Sequence, residues 1–214
     1  MVSLKTIAER CGVSTATVSK ALNDHKDISE ETKNRVKQTA EALGYFPNAA
    51  ARALKTNRSY NIGVLFEEEA GRGLTHEYFS GVLNGLKIQA EKLEYDITFI
   101  NTCFENRKMS YYEHCRYRNF EGVVIVCANF DDPDVTELMN SEIPVVTIDY
   151  VHHNCTAVTS NNIQGMEDLV KYIYSQGHRK IAYIHGQEGS SVTRDRLASF
   201  YRTIDELGLE IPDT

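Results

Sequence analysis

One stretch near the N-terminus combines hydroxyl groups with a single cation and carries no carboxylate. From Ser14 to Asn23 the side chains expected on the outer face are Thr15, Ala16, Thr17, Ser19, Lys20 and Asn23. Lysine donates to guanine acceptors in the major groove of DNA, and alanine contacts the thymine methyl group. A helix without carboxylates avoids repulsion by phosphates. The pattern predicts a helix that lies in the major groove, and a solvated helix with a chance charge pattern is the alternative.

A second polar group belongs to the C-terminal part of the chain. Asp149 directly follows an apolar strand, and Arg196 stands near the start of a helix. The carboxyl ends of parallel strands are the usual ligand site of open α/β sheets. A carboxylate and a guanidinium in that crevice are suited to bidentate hydrogen bonds with sugar hydroxyls. Alternatively, the two groups pair with each other. The loop residues Ser190, Ser191 and Arg194 are further candidates for ligand contacts.

The N-terminal segment has the pattern of three short helices. Apolar residues at helical spacing predict the first helix: Leu4, Ile7, Ala8 and Cys11. Gly12 ends that pattern, and the Ser14 hydroxyl is placed to cap a second helix that runs to about Asn23. Ser29 is placed to cap a third helix, which Gly44 ends. Two helices joined by a glycine-containing turn within about 20 residues form a helix-turn-helix.

Residues 48–55 predict a short additional helix. Pro47 ends the preceding helix, Asn48 is placed to cap the new one, and the alanines favour helix. An isolated helix of about two turns is marginal in water, so we expect it to be ordered only when packed against another surface. The small side chains would let two copies approach closely, with Leu54 projecting as an apolar wedge.

The remainder of the chain predicts alternating strands and helices. The apolar runs are strands at 62–66, 97–100, 122–126, 145–148, 156–160 and 180–184, separated by helices at 79–93, 108–118, 134–141, 162–175 and 194–207. Near-continuous apolar strands that alternate with helices predict a parallel sheet covered on both faces. The first of these helices is expected to bury six apolar residues: Phe79, Val82, Leu83, Leu86, Ala90 and Leu93.

The charge is unevenly distributed along the 214 residues. Residues 1–60 contain 10 Lys and Arg against 6 Asp and Glu, whereas residues 61–214 contain 13 against 24. A basic head on an acidic body indicates that only the head meets a polyanion. Neither an apolar span nor a signal-peptide core is present, which predicts a cytoplasmic protein without a membrane partner. The five widely spaced cysteines are expected to be buried free thiols.

Catalytic and cofactor motifs are missing from the sequence. Gly71-Arg72-Gly73 lacks the spacing of a phosphate-binding loop, and 131–134 lacks the glycine and distal glutamate of a calcium loop. The adjacent His152 and His153 do not share a helix face, and Ser190 has no nucleophile elbow around it. We therefore expect no catalytic residue, metal or cofactor. An α/β enzyme with an accessory helical head is the competing interpretation, and it would need such a constellation.

Several motifs resemble the DNA-binding head of the lactose/galactose repressor family (LacI/GalR). They are Leu4-Lys5-Thr6-Ile7-Ala8, Gly12-Val13-Ser14, Thr17-Val18-Ser19, Leu43-Gly44-Tyr45-x-Pro47-Asn48 and Ala51-Arg52-Ala53-Leu54. The resemblance implies that Thr15, Ala16 and Lys20 read bases and that Leu54 opens a central base step in the minor groove. It implies a set of DNA-binding residues: Thr6, Ser14, Thr15, Ala16, Thr17, Ser19, Lys20, Asn23, Ser29, Tyr45, Asn48, Ala51, Arg52, Leu54 and Lys55. It also implies a homodimer on a palindromic operator.

The body resembles the ligand-sensing core of the same family, which looks like a periplasmic sugar-binding protein. The matching motifs are Ile143-Pro144-Val145-Val146-x-Ile148-Asp149, Gly177-His178-Arg179-Lys180-Ile181-Ala182 and Arg196-Leu197-Ala198-Ser199-Phe200. Two positions depart from the family pattern: Ser199 replaces a usual Gly, and Asn161 a usual Asp. The resemblance implies a repressor that responds to a small molecule, expected to be a sugar. The alternative is a DNA-binding module without sensing.

The domain organisation follows from these two resemblances. We expect a helix-turn-helix domain at 1–46, a hinge helix and linker at 47–60, a first subdomain of the core at 61–161 and the start of a second at 162–214. Family members run over a hundred residues further, so the second subdomain is expected to be incomplete. The fold class is thus α/β, with a three-helix head and a hinge helix before a parallel core.

Overall fold

The structure is a computed structural model that describes residues 2–46, 48, 53, 57–67, 71–104, 107–186 and 189–210. The chain separates into two compact units, Met1–Ser59 and Tyr60–Thr214. Within the described residues, no helix combines the length and apolar character that crossing a membrane requires.

The first unit contains three helices, namely α1 (Leu4–Cys11), α2 (Thr15–Leu22) and α3 (Glu30–Ala42). Each begins at a serine whose side chain accepts a hydrogen bond from a backbone amide of the first turn: Ser3, Ser14 and Ser29. Gly12 ends α1 with φ of 66°, a left-handed conformation that glycine adopts without steric cost. The sequence-predicted helix-turn-helix head is therefore confirmed.

The three helices bury one small apolar core. It consists of Ile7, Ala8, Val18, Ala21, Val36 and Ala40, with Tyr45 among the half-buried residues packed against it. Ile7, Val18 and Val36 are fully buried, and each such side chain contributes about 1.5–3 kcal/mol through removal from water. This core fixes the direction of α2 and leaves the opposite face of that helix to solvent.

The second unit begins as a parallel α/β sheet. Its elements are β1 (Asn61–Phe66), α4 (Glu77–Lys92), β2 (Asp96–Phe99), β3 (Cys103–Phe104), β4 (Arg107–Lys108), α5 (Tyr111–Arg118), β5 (Gly122–Cys127), α6 (Pro133–Met139), β6 (Val145–Ile148) and β7 (Thr156–Val158). The main sheet has the strand order β2-β1-β5-β6-β7, and all of its pairs are parallel. The short β3 and β4 form a separate antiparallel hairpin.

The core of this sheet lies around β1, β5 and the helices α5 and α6. Leu65, Ile125, Val135 and Leu138 are all at most 1% exposed. Gly63 of β1 sits against the ring of Phe120, so that a Cβ at this position would lie 2.7 Å from Phe120 Cδ2. Tight packing of this kind determines which side chains the central strands accept.

Two long helices, α7 (Asn162–Ser175) and α8 (Ser191–Glu206), complete the second unit. They pack around Met166, Val170, Phe200 and Ile204. The two departures from the family pattern have structural roles here. Ser199 is buried and its hydroxyl donates to the Ile163 carbonyl at 2.7 Å, which ties α8 to α7. The Asn161 side chain caps α7 by accepting from the Gln164 amide.

The prediction of a strand at 180–184 is wrong. These residues form neither helix nor strand. A strand requires a hydrogen-bonded neighbour, and β7 pairs with β6 alone among the described strands. Ile181 still packs into the core between α7 and α8, whereas Ile184 is 96% exposed.

Smaller corrections concern burial and helix bounds. Leu93 is 67% exposed because α4 ends at Lys92. Four other residues of the predicted buried set are only half-buried: Phe79, Val82, Leu83 and Leu86. Helix α5 begins at Tyr111 rather than 108, since Lys108 pairs in the hairpin. Helix α8 begins at Ser191, three residues before the predicted start. All five cysteines are free thiols, but only Cys115 is fully buried and Cys103 is exposed.

Candidate nucleic-acid interface and ligand site

Helix α2 presents the face that the sequence assigns to DNA. Ser14, Thr15, Ala16, Lys20 and Asn23 are exposed. Thr17 and Ser19, from the same predicted set, are half-buried. The helix contains no acidic side chain, so its outer face carries hydroxyls, a methyl group and one ammonium group. Such a surface offers donors without repelling phosphates.

The ammonium group of Lys20 has a partner in this unit. It donates to the carboxylate of Asp27, in the loop between α2 and α3. The same loop supplies Asp24, which pairs with Lys37 of α3 at 2.5 Å. Hydrogen bonds from these two lysines hold the pKa values of Asp27 and Asp24 below their usual range. Both carboxylates therefore stay ionised at neutral pH.

Other predicted head residues have structural partners. Thr6 completes a capping box with Ser3, and Ser29 caps α3. The Asn23 side-chain amide donates to the Ser19 carbonyl at 2.6 Å, which closes the last turn of α2. Tyr45 is half-buried against the head core.

The predicted hinge contacts are described only in part. Asn48 is exposed. The remaining predictions in this segment lie outside the described residues: Ala51, Arg52, Leu54 and Lys55.

Asp149 is the centre of a hydrogen-bonded cluster at the carboxyl end of β6. Its Oδ2 accepts from the Tyr78 hydroxyl at 2.6 Å and from the Ser160 hydroxyl at 3.2 Å. Its Oδ1 accepts from the Ser160 amide at 2.6 Å, and its main-chain carbonyl accepts from the Ser191 hydroxyl at 3.2 Å. The backbone of Asp149 is left-handed, with φ of 54°. Three separate segments therefore converge on one carboxylate and its peptide group.

Arg196 reaches the same cluster through Asn162. Its Nε donates to the side-chain oxygen Oδ1 of Asn162 at 2.8 Å. The backbone amide of Asn162 in turn donates to the Ser160 carbonyl at 2.8 Å. Arg196 thus joins Asp149 indirectly, and among the described residues no ion pair links the two. Burial and the bond to Asp149 raise the pKa of Tyr78, which keeps its hydroxyl protonated at neutral pH. We call this set, Tyr78, Asp149, Ser160, Asn162, Ser191 and Arg196, the Asp149 network.

The other two loop candidates lie on an open concavity of about 520 Å³. Ser190 and Arg194 line it together with His185, Gly189, Thr193, Leu197, Ala198 and Tyr201. The five predicted ligand residues therefore divide between the Asp149 network and this concavity.

The acidic segment after β1 is only partly described. Glu67 accepts a 2.6 Å hydrogen bond from the buried Tyr111 hydroxyl, so this carboxylate has a structural partner. Burial and Glu67 together raise the pKa of Tyr111. Glu68 and Glu69 lie outside the described residues. No cluster of three or more potential metal ligands occurs in the part of the chain that the structure describes.

Sequence reasoning did not identify three members of the Asp149 network. Tyr78, Ser160 and Asn162 are polar residues at, or one position from, the end of a predicted helix or strand. That position is their only sequence signal. Their contacts with Asp149 and Arg196 depend on how α4, β7 and α7 pack together.

Two family profiles together match most of the chain. Residues 3–48 match bacterial regulatory proteins of the lacI family. Residues 59–214 match periplasmic binding proteins and the sugar binding domain of the LacI family. The first match contains the whole of α1, α2 and α3, and the second contains the whole Asp149 network.

Curated relatives resemble the chain along nearly all of its length. The HTH-type transcriptional repressor PurR of Mannheimia succiniciproducens is 27% identical over 216 residues, which cover 99% of this chain and 63% of the relative. The probable HTH-type transcriptional repressor ExuR of Bacillus subtilis is 29% identical, with 94% of this chain and 59% of the relative covered. The chain thus spans about 63% or less of the length of these relatives.

Solved structures have the same fold. The lac repressor dimer bound to operator and an anti-inducer has a TM-score of 0.78 at 23% identity, over 98% of this chain and 63% of that one. A LacI-family regulator from Silicibacter pomeroyi has a TM-score of 0.65 at 25% identity, over 99% of this chain and 63% of that one. Because the sugar-binding profile alone spans well over half of the 214 residues, the chain belongs to the LacI family of bacterial regulatory proteins.

Proposed function

We propose that this chain is part of a transcriptional repressor that binds a two-fold symmetric DNA operator as a homodimer and responds to a small molecule. The exposed, carboxylate-free face of α2 carries the proposal. A helix-turn-helix places its second helix in the major groove, with residues near its N-terminus at the base edges. Thr15 and Ala16 occupy the first turn of α2 and are exposed. The relatives named as repressors support the same assignment.

The dimer follows from the small size of the head. One helix of eight residues offers few base contacts, and symmetric dimers double them by matching two half-sites. In this proposal Leu54 wedges into a base step between the half-sites, as an inserted apolar side chain does when it kinks a duplex. A palindromic duplex should therefore bind two chains, and tight one-to-one binding to a single half-site would contradict the dimer.

The ligand is proposed to bind at the Asp149 network. Asp149 and Arg196 are opposite charges in one network, and both are held by neutral polar groups rather than by each other. A polyhydroxylated ligand such as a sugar exchanges hydrogen bonds with neutral partners of this kind at little electrostatic cost. The sugar-binding family match covers this entire segment. A ligand bound here would affect α4, β6, β7 and α7 together, because each of these elements contains or adjoins a residue of the Asp149 network.

Catalysis is not part of the proposal. The relatives that cover nearly the whole chain are named as repressors. An enzyme would instead convert its ligand, so recovery of chemically unchanged ligand from the complex distinguishes the two functions.

Operator selection tests the DNA-binding proposal. Duplexes enriched from a random pool by the wild-type chain should share an inverted repeat, and Lys20→Ala should lose the preference at one position per half-site. The cost should be about 1–3 kcal/mol on the selected sequence and little on random DNA. Lys37→Ala is the matched control, because both lysines are 46% exposed and each pairs with an acid of the same loop. Equal losses on selected and random DNA from Lys20→Ala would make Lys20 a phosphate contact.

Calorimetry tests the ligand site. A panel of sugars and sugar derivatives is titrated into the wild-type chain and into Asp149→Asn and Arg196→Gln. Both substitutions should weaken binding about tenfold or more, since each removes a charged partner of the ligand. Ser190→Ala separates the network from the concavity near α8, which does not include Asp149. A loss caused by Ser190→Ala alone would move the ligand site to that concavity.

A further inference from the structure

Asp27 is placed beside the proposed base-reading surface by the short loop between α2 and α3. The His25 amide donates to the Lys20 carbonyl at 3.0 Å, which ties the start of this loop to the end of α2. Ile28 packs against the head core, and Ser29 begins α3. Asp27 is thus held between two anchored positions, with its carboxylate on the ammonium group of Lys20.

The two acids of this loop have different partners. Asp27 pairs with Lys20 of α2, whereas Asp24 pairs with Lys37 of α3. Only the first pair includes a residue of the proposed reading helix. Each pair joins one lysine ammonium group to one aspartate carboxylate, and all four side chains are about half exposed. The Lys37–Asp24 pair can therefore serve as a comparison for the Lys20–Asp27 pair within the same chain.

A lysine ammonium group is a point charge on a flexible stem, with three donors and no fixed geometry. Near DNA it has two kinds of acceptor, the charged phosphate oxygens and the neutral O6 and N7 of guanine. Phosphate contacts carry no sequence information. A free lysine is drawn to the phosphates by its full charge, and that attraction competes with base reading.

Pairing with a carboxylate changes this competition. The Lys20–Asp27 pair has no net charge, so its attraction to phosphate is small. One donor of Lys20 is held by Asp27, and two remain for neutral acceptors on a base edge. The hydrogen bond from Lys20 keeps the pKa of Asp27 below its usual range, so the carboxylate stays charged at neutral pH.

We propose that Asp27 is a specificity-determining residue, which neutralises Lys20 toward phosphate and holds its remaining donors for a base. This inference rests on the proposed function, because it requires that α2 reads DNA. Asp27 need not touch DNA itself. Its effect is to convert a general polyanion contact into a selective one, at the expense of affinity for random sequence.

Asp27→Asn tests the proposal, because asparagine keeps the shape of the side chain and removes the charge. Affinity for a selected operator and for a random duplex is measured by fluorescence anisotropy at several salt concentrations. The variant should bind random DNA about tenfold more tightly, and its salt dependence should steepen by about one unit per head. The ratio of specific to random affinity should fall by a similar factor. Asp27→Glu, which keeps a carboxylate at this position, should retain most of the wild-type ratio of specific to random affinity.

Asp24→Asn is the matched control, since it makes the same charge change in the same loop. It should raise both affinities alike and leave the ratio unchanged. In a Lys20→Ala background, Asp27→Asn should no longer affect base preference. Equal ratios for Asp27→Asn and Asp24→Asn would overturn the proposal while leaving DNA binding intact. A wild-type chain that prefers no duplex would instead overturn the proposed function, and this inference with it.

Discussion

The Tyr78 hydroxyl donates a 2.6 Å hydrogen bond to Asp149 Oδ2, and so joins the first turn of α4 to the end of β6, 71 residues further along the chain. The other carboxylate oxygen is held by the Ser160 amide. A ligand that binds Asp149 must therefore share this carboxylate with Tyr78 or displace it. Displacement would release the start of α4, which connects occupancy of the site with the position of a helix.

Removal of the hydroxyl measures the strength of this connection. Tyr78→Phe should lower the free energy of unfolding of the second unit by about 1 kcal/mol, because Asp149 loses a donor while the ring contact with Phe79 stays. Urea unfolding checks the value. Tyr172→Phe is the control, because the Tyr172 hydroxyl has no hydrogen-bonding partner among the described residues and its side chain is exposed. Equal effects of both substitutions would show that the Tyr78–Asp149 bond does not stabilise the unit.

The packing of β1 predicts opposite effects at two glycines. Gly63→Ala should destabilise the second unit by about 1–3 kcal/mol, since the new methyl group would meet Phe120 at 2.7 Å and Ile100 at 3.1 Å. Gly85 lies in the interior of α4, where an added Cβ would meet no atom within 4 Å beyond its own helix backbone, so Gly85→Ala should stabilise the unit by about 0.5–1 kcal/mol. Thermal unfolding of both variants compares overpacking with helix propensity. A stabilising Gly63→Ala would mean that β1 and Phe120 shift apart freely.

Burial of His114 predicts loss of stability in mild acid. The side chain is 2% exposed and its Nδ1 accepts from the Asn101 amide, while burial and then Arg118 lower its pKa. The unfolded chain binds this proton at higher pH than the folded chain. Stability is therefore complete above about pH 6.5 and decreases as the pH falls toward the folded pKa, by at most about 1.4 kcal/mol per pH unit.

His114→Gln should flatten this dependence, because the titrating group is gone. Urea unfolding between pH 5 and 8 measures the slope in both chains. His178→Gln serves as the comparison, since His178 is exposed. An unchanged slope in His114→Gln would assign the acid sensitivity to other groups.

The cap of α2 allows folding and DNA binding to be separated. Ser14→Ala should cost the head about 1 kcal/mol, because the Thr17 amide loses its 3.0 Å bond to the Ser14 hydroxyl. Ser14→Asp should keep the cap and benefit from the helix dipole. It would nevertheless bring a carboxylate to the proposed phosphate-facing end of α2, so affinity for DNA should fall several-fold. Amide exchange by NMR and anisotropy measure the two effects, and unimpaired DNA binding by Ser14→Asp would place α2 away from the phosphates.

Local patterns were sufficient for most elements of the fold. Apolar runs predicted β1, β5 and β6 to within one residue, because strands buried on both faces need no alternation. Serine caps and Gly12 predicted the three head helices in the same way. The hairpin of β3 and β4 was missed, since two residues per strand produce no periodic signal. The prediction of a strand at 180–184 was wrong for the opposite reason, because an apolar run alone does not supply a neighbouring strand.

The site was predictable by position but not by pairing. Asp149 follows β6 and Arg196 lies in the first turns of α8. Both positions could be predicted from the apolar patterns of the sequence. Their partners Tyr78 and Asn162 are 71 and 34 residues away along the chain. Contacts at such separations depend on packing of whole elements. The Lys20–Asp27 pair was missed for a related reason, as the loop conformation that joins them has no sequence signature.

The left-handed backbone of Asp149 limits how this position can vary between related chains. Glycine, asparagine and aspartate adopt that conformation most readily, so most other substitutions would add strain to the turn after β6. Glycine would keep the turn and lose both oxygens, and asparagine would keep the shape and lose the charge. Glutamate would keep the charge at a higher backbone cost, although Glu94 adopts the same left-handed conformation elsewhere in this chain. The turn and the carboxylate thus both favour aspartate at this position, and random mutagenesis at this codon should yield glycine and asparagine as the most stable variants, each without the carboxylate.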